Sequence, residues 1–113
     1  MKLGQAKDGV IKTEAALLAL IDRNAIALKP YVKAFPPESY INALDQIGDS
    51  DKLRSPSRSD LSNIELTPTK EVNRYRYDVD LLIGQSISDL TVTFYITIDR
   101  VETIVELYDV GVL

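Results

Sequence analysis

Apolar and polar residues alternate strictly in two consecutive runs near the C-terminus. Tyr75, Tyr77, Val79, Leu81 and Ile83 fall on odd positions, with Arg74, Arg76, Asp78 and Asp80 between them. Leu90, Val92, Phe94, Ile96 and Ile98 then fall on even positions, separated by Thr91, Thr93, Tyr95 and Thr97. A period of two places alternate side chains on opposite faces, so both runs predict strands with one face buried and one wet. A third run follows over Thr103–Val110, with Val105 and Leu107 on one face and Glu106 and Tyr108 on the other. Three such runs in succession predict an antiparallel meander. Its connections, Gly84–Ser88 and Asp99–Glu102, lack an Asn-Gly signature and predict loops of about four or five residues.

Upstream the period changes to that of helices. A first helix is predicted from about Asp8 or Gly9 to Asp22 or Arg23, capped by Asp8, with Glu14 early in it. Its apolar lines are Val10, Leu17, Ile21 and, beside them, Ile11, Ala15, Leu18, Ala25, as suits a helix lying on a sheet and touching a neighbour on its flank. Pro30 interrupts Asn24–Ala34, which predicts a bend or short helix with Leu28, Tyr31, Val32 and Phe35 turned inward. Pro36 and Pro37 end that stretch, and Pro37 starts a further helix with Tyr40, Ile41, Leu44 and Ile47 on one face and Gly48 as its stop. Asp49–Asp60 is rich in turn formers and reads as a loop with Leu53 tucked inward. Ile64–Val72 reads as an edge strand interrupted at Pro68, since proline cannot donate to a ladder. The expected fold is α+β: one domain over 1–113, with helices over about 8–48, a loop over 49–61 and a sheet of three to four strands over about 62–113.

Composition removes several chemistries. With no histidine and no cysteine there is no Ser-His-Asp triad, thiolate nucleophile, disulfide or soft metal ligand. Asp49-Ser50-Asp51 opens like a calcium loop but lacks its glycine and closing glutamate, and the five glycines are too scattered for a phosphate loop. No cofactor or metal is expected. Residues 1–8 carry no apolar signal-peptide core, and Ala15–Ile21 is too short to span a bilayer, so a cytoplasmic protein without membrane contact is expected.

Charge divides the chain. Residues 75–113 hold seven acids against two bases, a balance of −5, whereas residues 1–74 hold ten acids and eleven bases. That distribution disfavours nucleic acid and suits a basic protein partner. Carboxylates and phenols could form an acid/base pair only if they shared an apolar pocket, and alternation puts Asp78 and Asp80 on the wet side. No enzymatic activity is expected. The candidate partner-binding residues are Asp78, Asp80, Tyr95, Glu106, Tyr108 and Asp109, a set of rings and carboxylates typical of interface composition. Pairing of two copies through the same face would use the same tyrosines.

Asp78-Val79-Asp80-Leu81, Ser88-Asp89-Leu90-Thr91-Val92 and the terminal Val105-Glu106-Leu107-Tyr108-Asp109-Val110-Gly111-Val112-Leu113 resemble the C-terminal half of a family of small bacterial proteins without an assigned activity. The helical half matches that family in order and spacing only. Gly111 departs from it, since a larger polar residue is common there, while Asp89 and Asp109 are acids that match. The resemblance implies an NTF2-like or cystatin-like layout of helices followed by a meander, and it carries over no catalytic residue. Size and acidity also resemble bacterial immunity proteins, including those of contact-dependent growth inhibition. That likeness implies neutralisation of a toxin, such as a basic nuclease domain, through an acidic sheet face. The alternative reading is an NTF2-like pocket protein that binds or isomerises a small apolar ligand between helices and sheet.

Overall fold

A computed structural model describes residues 1–47 and 52–112. The Gly48 helix stop and the Asp49-Ser50-Asp51 turn lie outside the described residues. In chain order the elements are α1 (Gly9–Ile21), α2 (Ala25–Leu28), α3 (Pro37–Asp45), β1 (Leu53–Arg54), α4 (Arg58–Ser62), β2 (Thr67–Pro68), β3 (Arg74–Ile83), β4 (Ser86–Ile98) and β5 (Thr103–Val112). The fold is α+β, with the helices packed on one face of an antiparallel sheet. The strands β3, β4 and β5 form the expected meander, and β1 and β2 both pair with the outer edge of β3, at opposite ends of it.

The sheet's inner face follows the alternation. Tyr77, Val79, Leu81, Leu90, Val92, Phe94, Ile96, Val105 and Leu107 are all buried, whereas Ile83, at the end of its run, is exposed. The Tyr77 and Phe94 rings are cross-strand neighbours that stack with centroids 5.3 Å apart and planes 11° from parallel.

Helix α1 lies on this surface with its boundaries as expected, but it is rotated relative to its apolar lines. Its buried residues are Gly9, Thr13, Ala16, Leu17, Ala19 and Leu20, while Ile11 and Leu18 are exposed and Val10 and Ile21 only half-buried. The reason is at Thr13, whose hydroxyl meets the Tyr77 hydroxyl at 2.6 Å in the core. That bond, with close approach at Gly9, where a Cβ would sit 3.1 Å from Ile96 Cδ1, fixes which side of the helix faces down. Asp8 precedes the helix as predicted, but at φ 62° its side chain makes no cap bond.

Burial raises the Tyr77 phenol well above its ordinary pKa, and the Thr13 hydrogen bond only partly opposes this. A raised folded-state pKa gives stability that is whole below the unfolded value near 10 and is lost as pH climbs beyond it. Denaturation between pH 9 and 11 should therefore show falling stability in the native chain. Tyr77→Phe should remove about 1.4 kcal/mol per pH unit of that slope above pH about 10, whatever it costs at neutral pH through the unpaired Thr13 hydroxyl.

Other departures are local. Asn24 accepts from the Ala27 amide and starts α2 ahead of Pro30, which sits in a following 3-10 turn, Lys29–Tyr31. Leu28 is buried and Tyr31 and Val32 half-buried, but Phe35 is exposed, with its ring edge-on to Tyr40 at 6.3 Å. In α3, Tyr40, Ile41 and Leu44 are buried as expected. The stretch read as loop holds both β1 and, through a Ser57 hydroxyl that accepts from the Asp60 amide, the start of α4. The predicted Ile64–Val72 strand shrinks to Thr67–Pro68. Between β3 and β4 the turn is only Gly84 and Gln85, because Gly84 adopts φ +63°. The four-residue connection between β4 and β5 is as expected.

Candidate partner-binding face

The outer face of the sheet is built in rows across β3, β4 and β5. One row is Arg76, Tyr95 and Glu106; the next is Asp78, Thr93 and Asp109; the last is Asp80, Thr91 and Gly111. A bulge in β5 makes these rows possible. Leu107 pairs with Phe94 and Asp109 with Thr93, so Tyr108 is an extra residue with no partner of its own. Strict alternation from Leu107 would have turned Asp109 into the core. The extra residue instead puts Tyr108 and Asp109 outside and returns Val110 to the buried side.

Two of the carboxylates are held in place. The Thr93 hydroxyl donates to Asp78 Oδ1 at 2.8 Å, and the Thr91 hydroxyl to Asp80 Oδ1 at 2.9 Å. Both threonines are 6% exposed although they face outward, because the flanking carboxylates cover them, whereas Asp78 and Asp80 themselves remain exposed. Asp109 is exposed as well. Adjacent strands lie about 4.8 Å apart, so Asp78 and Asp109 flank Thr93 on either side. The acids form an exposed, partly pre-ordered cluster.

At the other end of the face the chemistry changes. The Arg74 guanidinium sits 4.4 Å from the centre of the Tyr95 ring. It lies 3.5 Å from Glu106 and 3.6 Å from Glu71. Tyr95 meets Tyr108 edge to face at 4.9 Å, and a shallow cleft of about 270 Å³ opens between these rings, Arg74 and Thr69–Glu71. Glu106 is only 13% exposed in its side chain and is occupied by Arg74, so it is less available than Asp78, Asp80, Tyr108 and Asp109, which are exposed. Arg76 leans toward Asp78 at 3.8 Å. The face is therefore not uniformly acidic: a cationic and aromatic end (Arg74, Arg76, Tyr95, Tyr108) adjoins an acidic end (Asp78, Asp80, Asp109). Arg74, Arg76, Thr91 and Thr93 belong to it and were visible in the alternation, but their pairings depend on register.

Tyr40 of α3 lies close to β5. Its phenol is raised above the ordinary tyrosine value, first by burial and then by Glu106, Asp109 and Tyr108. Its hydroxyl is buried without a hydrogen bond of normal geometry among the described residues. Removing an unsatisfied buried hydroxyl relieves a desolvation cost, so Tyr40→Phe should stabilise the fold by about 0.5–1 kcal/mol in urea denaturation.

The interior between helices and sheet is filled. Leu3, Leu17, Leu20, Leu28, Leu44, Leu61, Leu81, Phe94, Ile96 and Leu107 are wholly buried there, and among the described residues no aspartate or glutamate is buried with them. The largest cleft described, about 610 Å³ between α1, β1 and Leu82, lies at the surface. Among the described residues no three acids converge as a metal cage, and no helix is long and apolar enough to cross a membrane. Asp89, a matching acid of the resemblance, is exposed but lies outside the rows. No family model, curated protein or solved structure matches this chain.

Proposed function

We propose that the protein is a non-enzymatic binding domain that captures a basic protein surface with the outer face of its sheet, acting in the cytoplasm as an immunity protein that neutralises a toxin. The observation that carries this reading is the exposed cluster of Asp78, Asp80 and Asp109, two of whose carboxylates are fixed by threonine hydroxyls. Fixed charges lose little side-chain entropy on binding, and an anionic cluster accelerates encounter with a cationic partner such as a nuclease's phosphate-binding site. Tyr95 and Tyr108, beside the acids, supply ring area for the contact. The core packing supports this reading over an enclosed ligand pocket, because among the described residues the space between helices and sheet is occupied by apolar side chains and the cleft beside α1 and β1 is open at the surface.

The test is calorimetric titration of the purified chain against basic toxin nuclease domains at low and high salt. A cognate domain should bind tightly and lose affinity as salt rises. The triple variant Asp78→Lys, Asp80→Lys, Asp109→Lys should weaken that binding at least about 100-fold while its circular dichroism stays native. Equal binding by the triple variant would end the proposal.

A further inference from the structure

The outer edge of β3 is interrupted. Residue Arg76 is paired with Thr67 of β2, and Leu82 with Arg54 of β1. Between them, no strand among the described residues pairs with Tyr77–Leu81 on that side, because residues 55–66 leave the sheet to form α4. The direction of the main-chain groups is fixed by the bonds at either end. The Ser88 hydroxyl donates to the Leu81 carbonyl, and the Ile98 amide to the Asn73 carbonyl, so odd residues face β4. The Thr69 amide donates to the Arg74 carbonyl, so even residues face the outer edge. Alternation then points the amides and carbonyls of Asp78 and Asp80 into the gap, where no described residue pairs with them.

A cleft of about 500 Å³ opens at the β2 end of this gap, lined by Ile64, Glu65, Thr67, Arg76, Tyr77 and Asp78. Unpaired groups on an exposed edge are a template for another strand. Charge selects what can add. In a two-fold antiparallel pairing of two copies about Val79, Asp78 of one copy would lie opposite Asp80 of the other, and like charges directly opposite are destabilising. A basic segment meets Asp78 and Asp80 instead, with Glu65 lining the cleft beside it.

We infer that the open edge of β3 accepts a short extended segment of a basic protein, added antiparallel and in line with β1 and β2. Residues opposite Asp78 and Asp80 share the outer face with those carboxylates, and the residue between them points to the side of Ile64. The segment that fits is therefore Lys or Arg, then an apolar residue, then Lys or Arg. The edge shares the Asp78 and Asp80 carboxylates with the sheet face, but it adds main-chain pairing that a contact with the face alone does not make.

The test uses the full chain, labelled with ¹⁵N, and the blocked peptide Gly-Lys-Val-Lys-Gly in excess. Amide hydrogen exchange at Asp78 and Asp80 should slow several-fold, and Asp78→Asn with Asp80→Asn should cut the peptide's affinity by roughly tenfold. The same peptide N-methylated at both lysines keeps its charge but cannot pair, and should give no slowing. Equal slowing by the methylated peptide, or no slowing at all, would overturn the inference. Shifts confined to Tyr95, Tyr108 and Asp109 would overturn it too, while leaving the proposed sheet-face contact standing. Slow exchange without peptide, rising with protein concentration and accompanied by a doubled mass, would assign the edge to a second copy and likewise overturn it.

Discussion

Replacing Phe94 with alanine should destabilise the fold by about 3–5 kcal/mol, the usual range for emptying a fully buried aromatic site. Phe94 has no exposed surface, stacks on Tyr77, and lies on the central strand of the meander. The surrounding side chains cannot collapse freely into the space, because β4 is tied by its ladder to strands on both sides. The loss should also loosen Tyr77, whose ring is wedged between Phe94 and the hydroxyl of Thr13. Urea denaturation followed by circular dichroism would measure it; a loss below about 1 kcal/mol, outside the range for such truncations, would mean that the stack does not organise the core. Phe94→Leu, which keeps most of the volume, should cost markedly less.

Glu106→Lys should be the most damaging change on the outer face, at about 2–4 kcal/mol, somewhat below the range for a wholly buried pair. Glu106 is largely covered and faces Arg74, which is itself held over the Tyr95 ring. Reversal removes an acceptor and sets a second cation against the Arg74 guanidinium. Glu106→Gln keeps an acceptor and should cost less than half as much. A denaturation midpoint for Glu106→Lys equal to that of Asp109→Lys would show that the ion pair is no tighter than an ordinary surface one. The same argument separates stability from recognition. Loss of partner binding in a Glu106 variant would be ambiguous, whereas loss at Asp78, Asp80 and Asp109 would not.

The meander was legible because its inner positions are apolar without exception from Tyr75 to Leu81 and from Leu90 to Ile98. What the alternation could not convey was interruption of the pattern. The phase change between Leu107 and Val110 reads as noise until the pairing with β4 shows that Tyr108 is unmatched. In β4, Ser88 bonds the Leu81 carbonyl and accepts from the Leu90 amide, so it patches a second irregularity where polar residues look like a loop. The orientation of α1 departs from its apolar lines for a chemical reason: a threonine counts as polar along the chain, yet Thr13 is wholly buried because Tyr77 supplies its partner. The short β1, β2 and α4 are set by tertiary contacts and one serine cap, which period counting does not register. On the candidate face the residue types were readable, but the neutralisation of Glu106 by Arg74 needed the fold.

The unmatched residue at Tyr108 bears on how this surface would respond to changes in chain length. Beyond it, the strand's odd and even positions exchange roles, and the charge at Asp109 is delivered to water only because of that exchange. Point substitutions leave the exchange intact. Adding one more residue after Leu107 would reverse it, driving a carboxylate into hydrocarbon and the buried Val110 out of it, so this patch is more vulnerable to a single inserted codon than to most replacements.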